Sequence, residues 1–268
     1  MLNPCAIAAE VYKAKKNLSQ NFLNDQVVLK KISDFVNPDL RDNFLEIGPG
    51  RGSLTKILCP DVESLDAVEL DKDLLSELKR LEESQNSLKI HNANILDFDL
   101  SLLTEQNNLR VIGNLPYNIS SSIVLWSLEH IDNFQDMHYM FQKEFGQRLF
   151  ANPKTKSYGR LSILSQFMAQ ITYLFTIHPE SFNPQPSVES VFIKITPIKG
   201  RDMNSPLAKK LQEITQITFS KRRKMLSKSL KGILQQRDFL ELEIDSSDRP
   251  EDLSVEDFIK LSNFLLEG

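Results

Sequence analysis

The sequence predicts an α/β fold in which a parallel sheet of about seven strands, covered by helices on both faces, precedes a small all-helical domain. Two observations predict it. Apolar runs rich in strand-forming residues recur about every 20 residues, with helical patterns between them. After Pro197 only helical patterns remain, and residues 199–205 read as a linker. We therefore expect one domain over residues 1–198 and a second over 199–268.

The predicted strands carry mostly apolar side chains and alternate with helices, which implies right-handed crossover connections. They lie at residues 43–47, 65–69, 88–92, 109–113, 137–141, 171–177 and 191–196. A helix begins at residue 53, and a second over 72–83 places Leu74, Leu75, Leu78 and Leu81 on one side. Beyond the linker, helices are predicted at residues 206–219, 222–236 and 254–266.

Composition and hydropathy exclude several classes of protein. With 41% hydrophobic and 25% charged residues, the 268-residue chain is typical of a globular protein. Two uncharged stretches, 111–128 and 161–177, approach the length of a membrane span, but they contain Asn, Gln, Pro and Ser. A buried strand followed by a helix explains both better, so we expect no membrane span.

The short N-terminal apolar run does not fit a signal peptide. The two cysteines and four histidines indicate neither a disulfide framework nor a metal site, and we expect a cytoplasmic protein.

The net charge of −4 conceals a strong separation of charge along the chain. Residues 238–257 hold nine acidic residues and one arginine, so the remainder is net positive. The basic residues fall into three groups: Lys13, Lys15 and Lys16; Lys143, Arg148, Lys154, Lys156 and Arg160; and Lys221, Arg222, Arg223 and Lys224, followed by Lys228 and Lys231. Such runs are often solvated helix faces. Three of them on an acidic chain favour a surface that follows nucleic-acid phosphates.

A glycine-rich turn, G-P-G-R-G at residues 48–52, follows the first predicted strand and opens a helix. Glycines there let the backbone pass close beneath a ligand. Glu69 ends the next strand, at the position where a carboxylate can accept hydrogen bonds from both hydroxyls of a ribose. The turn lacks the third glycine of the dinucleotide fingerprint, and Pro49 removes an amide that a pyrophosphate would use. The pattern favours S-adenosylmethionine, with Gly48, Gly50 and Glu69 as contacts. The alternative is a tight turn that needs glycine only for packing.

The motif N-L-P-Y at residues 114–117 follows the fourth predicted strand. It places an amide, a proline corner and an aromatic ring beside the cofactor. The side-chain oxygen of Asn114 and the carbonyl of Leu115 can accept the two hydrogens of an exocyclic amine such as adenine N6. Tyr117 can stack on the base and face a sulfonium cation. The motif therefore suits methylation of adenine; a turn that merely caps the next helix is the alternative.

A second aromatic ring, Phe182, lies on a loop stiffened by Pro184 and Pro186. It can form a lid that stacks on an extruded adenine opposite Tyr117. A buried phenylalanine that anchors the loop is the alternative. We count Phe182 with Asn114, Leu115 and Tyr117 as candidate catalytic residues.

In their order along the chain, these motifs resemble those of the small-subunit ribosomal RNA adenine dimethyltransferases. The resemblance spans nearly the whole sequence and is carried by residues 19–23, 46–52, 68–71, 114–120, 143–148, 158–162, 182–190 (F-x-P-x-P-x-V-x-S), 219–224 (FSKRRK) and 249–251 (RPE). It implies a Rossmann-like, S-adenosylmethionine-dependent methyltransferase that acts in ribosome biogenesis. Such an enzyme dimethylates N6 of two adjacent adenines in the 3′-terminal hairpin of small-subunit (16S) rRNA.

The resemblance also implies site residues and partners. It points to Asn21, Leu23, Gly48, Glu69 and Asn114 as cofactor contacts, in addition to Gly50 of the turn. The basic residues named above, together with the helical domain over residues 199–268, would bind the RNA. The implied partner is small-subunit rRNA within a pre-30S particle, with naked rRNA as the alternative. Nothing in the sequence suggests an obligate dimer or a metal site, so we expect a monomer without a metal.

Two positions depart from the family pattern. Asn94 stands where the family usually has an acidic residue that contacts the cofactor adenine. An amide oxygen can make the same contact without charge assistance, so we expect weaker cofactor binding. Ser19 replaces a glycine, which calls a positive φ at that position into question.

Three other functions remain open from the sequence. The first is an erythromycin-resistance type methyltransferase of large-subunit rRNA, which Leu115 and residues 249–251 disfavour. The second is a non-catalytic nucleic-acid-binding factor, which the intact Glu46, Glu69, Asn114 and Tyr117 disfavour. The third is a nicotinamide oxidoreductase, which the sequence disfavours because it lacks the third glycine of the dinucleotide fingerprint and a proton-relay residue near the turn.

Overall fold

The computed structural model describes residues 20–105 and 107–267. In that part of the chain the strands are β1 (Phe22–Leu23), β2 (Asn43–Ile47), β3 (Ser64–Glu69), β4 (Leu88–Asn92), β5 (Leu109–Asn114), β6 (Phe134–Gln142), β7 (Ala169–Ile177), β8 (Phe182–Asn183) and β9 (Ser190–Pro197). The helices are α1 (Gln26–Val36), α2 (Ser53–Leu58), α3 (Leu75–Ser84), α4 (Ser120–Glu129), α5 (Lys143–Leu149), α6 (Arg160–Met168), α7 (Pro206–Phe219), α8 (Leu226–Ser229), α9 (Gln236–Glu241) and α10 (Val255–Glu267).

Seven strands form one sheet in the order β4-β3-β2-β5-β6-β9-β7. All seven correspond to the strands predicted from the apolar runs. Strands β2 to β6 are parallel, as expected, whereas β9 is antiparallel to both β6 and β7. The sheet is therefore mixed. The reason is that β7 reaches β9 through a loop without a crossover helix, and such a connection reverses the chain direction.

A second, two-stranded sheet joins distant parts of the sequence. β1 pairs with β8 in antiparallel register, with Phe22 opposite Asn183 and Leu23 opposite Phe182. Just beyond it, the amide of Asn24 donates to the carbonyl of Ser181 at 3.0 Å. This small sheet ties the beginning of the described chain to the loop before β9.

The hydrophobic core lies on both faces of the large sheet. Phe44 and Ile112 point into one cluster, whereas their neighbours Leu45 and Val111 point into the other. The alternation follows from the two-residue period of a strand, and both faces are apolar because helices cover both.

The C-terminal helices pack on the rest of the chain. The cluster that contains Leu45 continues into α7 through Leu211 and into α10 through Phe258. α7 also packs against α6, and the two share this apolar cluster. The boundary between residues 198 and 199 stays a prediction, and the two predicted domains share one apolar cluster.

The predicted helix over residues 222–236 is wrong. The chain makes turns around the four-residue helix α8, and the amide of Leu226 donates to the carbonyl of Asp248 at 2.8 Å. Gly232 also has a φ of 86°, outside the helical region. Contacts with a distant segment replace helical hydrogen bonds here, a case of tertiary structure overriding a local pattern. The basic residues at 221–224 therefore lie on a turn.

The two long uncharged stretches form ordinary strands and helices. Residues 111–128 form most of β5 and then α4, a strand followed by a helix as expected. Residues 161–177 form α6 and then β7, so there the helix comes first. Within the described residues, no helix has both the length and the hydropathy needed to cross a membrane.

Candidate active site

The carboxyl ends of β2, β3, β4 and β5 meet at one edge of the sheet and open into a cavity of about 190 Å³. Ligands of open α/β sheets bind at this edge because the loops there converge. The cavity brings together all seven predicted cofactor contacts: Asn21, Leu23, Gly48, Gly50, Glu69, Asn94 and Asn114.

The glycine turn forms the floor of the cavity. Gly50 has a φ of 58°, and a Cβ atom there would lie 3.0 Å from the Phe22 ring. Glycine is therefore required for both conformation and space. Phe22 comes from the N-terminal segment, which lies over the turn.

Glu69, at the end of β3, is fixed by two main-chain amides. Its Oε2 accepts from Gly50 at 3.0 Å, and its Oε1 accepts from Asp71 at 2.7 Å. Burial raises the pKa of Glu69, and both hydrogen bonds oppose that rise. Each oxygen keeps a second lone pair, which fits the predicted contact with two ribose hydroxyls.

Glu46 also lines the cavity, deeper than Glu69, and is 1% exposed. Its Oε2 accepts from the hydroxyl of Thr55 at 2.6 Å, whereas its Oε1 is buried and has no hydrogen-bond partner among the described residues. Burial raises the pKa of Glu46 to about 7, and the nearby charge of Glu69 adds to the rise. A buried polar atom without a partner is costly, so a ligand that forms a hydrogen bond with Oε1 would stabilise the site.

The cavity fits a cationic ligand such as S-adenosylmethionine. Two carboxylates, Glu46 and Glu69, line it, whereas the lining cation Arg51 pairs with Glu77 at 3.1 Å. A sulfonium or ammonium group bound here would favour the ionised forms of both acids, whereas a pyrophosphate would disfavour them and would meet a lining cation that is already paired. The orphaned Glu46 oxygen supports the same cofactor.

Asn114 ends β5 at the mouth of the cavity with its amide in a fixed orientation. The Nδ2 group donates to the main-chain carbonyl of Asn21 at 2.8 Å. No donor to Oδ1 lies among residues 20–105 and 107–267. The side chain thus lines the same cavity as the glycine turn, and its Oδ1 is the acceptor left for a substrate.

Tyr117 and Leu115 line the cavity beside Asn114. The Tyr117 hydroxyl shares a hydrogen bond of 2.9 Å with the hydroxyl of Ser190, which is 1% exposed at the start of β9. Burial raises the pKa of Tyr117, so the phenol is neutral at ordinary pH and does not serve as a base. Leu115 is buried as a whole residue and packs in the apolar cluster that contains Leu45.

Phe182 lies apart from these residues. Its side chain is 2% exposed, packs in the cluster that contains Phe44, and does not line the described cavity. This placement corresponds to the anchoring alternative. The expected stacking on the target base stays a prediction.

The two departures from the family pattern have different outcomes. Asn94 lines the cavity, its Oδ1 accepts from the Leu96 amide at 3.2 Å, and its Nδ2 donates to Asp97 at 2.7 Å. Its effect on cofactor affinity stays a prediction. Ser19 lies outside the described residues, as do the N-terminal lysines 13, 15 and 16.

The predicted RNA-binding residues divide into two sets. Three form ion pairs: Lys143 with Glu189, Arg148 with Glu144, and Arg222 with Glu251. The other six are exposed and form no ion pair among the described residues: Lys154, Lys156, Arg160, Lys221, Arg223 and Lys224. None of the nine lines the cavity, so this surface lies apart from the chemistry.

Sequence reasoning left out several cavity residues. Glu46 was named among the intact motif residues but not as a cofactor contact. Leu70, half exposed, and the buried Ile95 give the cavity apolar walls, and nothing in the local pattern marks them. Ser190 closes a family motif, yet its contact with Tyr117 spans 73 residues and has no local signal.

Comparisons with known proteins agree with this geometry. A family model described as ribosomal RNA adenine dimethylase matches residues 11–267. A curated relative from Marinomonas sp. (strain MWYL1), named Ribosomal RNA small subunit methyltransferase A, is 40% identical over 260 residues, 97% of this chain and 98% of the relative. The protein of the same name from Legionella pneumophila (strain Corby) is 40% identical over 254 residues, 95% of this chain and 98% of the relative.

Solved structures share the fold. A dimethyladenosine transferase from Plasmodium falciparum superposes with a TM-score of 0.75 at 26% identity, covering 89% of this chain and 95% of that one. The 23S rRNA methyltransferase ErmE superposes with a TM-score of 0.73 at 20% identity, covering 91% of this chain and 99% of that one. At that identity the second likeness speaks for the fold alone.

Proposed function

The chain belongs to the ribosomal RNA adenine dimethylase family, and we propose that its target is a pair of adjacent adenines in the 3′-terminal hairpin of small-subunit rRNA. It is an S-adenosylmethionine-dependent methyltransferase that dimethylates adenine N6 in ribosomal RNA. The small-subunit target is supported by the names of relatives that are 40% identical. The large-subunit enzyme ErmE is 20% identical and shares the fold.

Asn114 and Leu115 prepare the adenine nitrogen for attack. Adenine N6 is a weak nucleophile because its lone pair is delocalised into the ring. Two acceptors, the Asn114 Oδ1 and the Leu115 carbonyl, bind the two amino hydrogens and favour a tetrahedral nitrogen. The hydrogen bond from Asn114 to the Asn21 carbonyl sets this orientation before the base arrives, so no reorganisation is needed at the reacting centre.

The transfer requires no general base. When bound, S-adenosylmethionine supplies an electrophilic methyl group on a sulfonium. The Tyr117 ring stacks on the base and faces the cation, while its hydroxyl stays protonated and bound to Ser190. The methylated nitrogen is acidic enough to lose its proton to solvent. One amino hydrogen remains after the first transfer, so a single acceptor suffices for the second.

The position of Asn114 is the observation that carries the proposed adenine chemistry, and the relatives' names support the small-subunit target. The experiment is incubation of the purified chain with radiolabelled S-adenosylmethionine and undermethylated small or large ribosomal subunits, followed by mapping of the label. We expect label on N6 of two adjacent adenines in the small-subunit hairpin. Label confined to large subunits, or found on another base, would contradict the proposal.

The exposed cations are proposed to bind phosphates of an rRNA stem. An A-form stem is recognised mainly through its backbone and shape, which suits lysines and arginines outside the cavity. Binding should then weaken steeply with salt: each phosphate contacted should add about −0.9 to the slope of log K against log salt. We further propose that the chain acts as a monomer, in the cytoplasm, on rRNA within a pre-30S particle.

A further inference from the structure

Arg222 differs from its basic neighbours on the turn after α7. Lys221, Arg223 and Lys224 are exposed, and no described residue forms an ion pair with them. Arg222 is only partly exposed, and its Nε donates to the Glu251 carboxylate at 2.6 Å. The run of four cations therefore contains one side chain whose charge is already neutralised by the protein.

A second nitrogen of this guanidinium, Nη2, contacts a different part of the chain. Arg222 Nη2 donates to the main-chain carbonyls of Thr155 and Lys156 at 3.3 and 3.2 Å. These residues belong to the loop 150–159, which joins α5 to α6. A single side chain thus connects three segments: the turn after α7, this loop and the segment before α10.

Glu251 completes the connection from the opposite side. Its main-chain carbonyl accepts from the amide of Lys154 at 2.7 Å. Lys154 has a φ of 67°, a conformation that a non-glycine residue adopts only when its surroundings hold it there. The loop is therefore fixed to residue 251 by one main-chain bond and to Arg222 by two more.

Two groups of cations far apart in sequence become neighbours as a result. Lys154 and Lys156 lie on the loop, while Lys221, Arg223 and Lys224 flank Arg222. The contacts of Arg222 and Glu251 add to the packing of the Tyr158 ring against Phe219 in holding the loop beside the turn. An RNA stem presents phosphates at fixed spacing, so the relative position of the two groups decides how many it can contact.

We infer that Arg222 and Glu251 form a clamp that assembles one phosphate-binding surface for an RNA stem from the loop and the turn, and that Arg222 is not itself a phosphate ligand. This inference rests on the proposed function, because it concerns the same RNA. It makes Glu251, an acidic residue, a requirement for binding a polyanion. Arg222 and Glu251 are positioning residues of the surface.

The test exploits the sign of a charge change. Removal of a carboxylate from a surface that binds phosphates should tighten binding if only charge matters. The clamp predicts the reverse: Glu251→Gln should weaken binding of the full-length protein to undermethylated small subunits about three- to fivefold, the equivalent of one partly exposed ion pair. The slope of log K against log salt should also become shallower by about 1, since a phosphate contact is lost.

Two further variants complete the experiment. Arg222→Lys keeps the charge but cannot bridge a carboxylate and two carbonyls, so it should weaken binding as Glu251→Gln does. Glu256→Gln is the matched control, because it removes one negative charge from an exposed residue of α10 that has no part in the clamp. Glu256 lies near the same loop: burial, and then the charge of Glu256, raise the pKa of Tyr158. The control variant should bind as tightly as the wild type or more tightly.

Hydrogen exchange of the loop amides provides a second measurement. In Glu251→Gln they should exchange faster, while β2 and β5 keep their protection. Binding of Glu251→Gln that equals or exceeds that of Glu256→Gln, while Arg223→Ala and Lys224→Ala weaken binding, would overturn the clamp alone. If Arg223→Ala and Lys224→Ala also leave binding and its salt dependence unchanged, the RNA surface itself is wrong.

Discussion

Asn114 serves the proposed chemistry in only one of its two amide orientations. The hydrogen bond from its Nδ2 to the Asn21 carbonyl selects that orientation and leaves Oδ1 for the substrate. The sequence predicted Asn114 beside the cofactor because the residue ends a parallel strand. It did not predict the contact with Asn21, since 93 residues separate the two.

The hydrogen bond between Tyr117 and Ser190 is predicted to position the stacking ring. Ser190→Ala and Tyr117→Phe each remove one partner, and each should slow methyl transfer about fivefold, the effect of one lost hydrogen bond of about 1 kcal/mol. The double variant should be no slower than either single variant, because both act on the same bond. Cofactor affinity, measured by calorimetry, should stay unchanged. Independent, additive losses would show that the bond does not act on catalysis.

Glu46 should make the stability of the protein depend on pH. Burial raises the pKa of this carboxyl from 4.5 to about 7, so the folded protein holds a proton that the unfolded chain releases. The resulting stabilisation is complete below about pH 4.5 and is lost as the pH rises to about 7, for a total of at most about 3 kcal/mol.

The isosteric variant Glu46→Gln measures this effect by difference. Its unfolding free energy, relative to that of the wild type, should rise between pH 5 and pH 8, because only the wild type must ionise a buried group. Urea unfolding at both pH values provides the measurement. A constant difference would show that Glu46 titrates normally.

At the scale of elements, the small β1–β8 sheet supports the wall of the cavity. β8 pairs with β1, and Asn21, which directly precedes β1, holds the amide of Asn114. The side chain of Asp25 accepts from the Ser181 hydroxyl at 3.0 Å and adds a second tie. The orientation of the Asn114 amide therefore depends on a loop more than 60 residues away along the chain.

Phe182 anchors this small sheet in the core. Phe182→Ala should lower the unfolding free energy by about 3–5 kcal/mol, as for other buried phenylalanines, and should weaken cofactor binding through β1. Thermal unfolding and calorimetry measure the two effects. Slower turnover with unchanged stability and cofactor affinity would instead support stacking of this ring on the target adenine.

The elements that the sequence predicted well are those with a strong local signal. Buried strands such as β2 and β5 are short, mainly apolar runs, and α7 matches its predicted bounds of 206–219. β1 and β8 have two residues each, too few for a periodic pattern. The helix predicted after Arg222 fails because contacts with the acidic segment take over its amide groups.

At the scale of the whole molecule, the sequence predicted which basic residues could bind RNA but not which of them form ion pairs within the protein. Acidic partners come from nearby in one case, Glu144 for Arg148, and from distant segments in the others, Glu189 for Lys143 and Glu251 for Arg222. Pairings across 46 and 29 residues depend on the fold. The cofactor cavity was easier to predict, because the carboxyl ends of parallel strands always meet at one edge.

The central claim is that the Asn114 amide oxygen activates the target adenine. The most direct measurement is the single-turnover rate of methyl transfer to undermethylated small subunits by Asn114→Ala, at saturating S-adenosylmethionine so that any loss of cofactor affinity does not contribute. The rate should fall about 10²–10³-fold, as when one preorganised hydrogen-bonding group is removed from a reacting centre. A rate near that of the wild-type enzyme would contradict the claim.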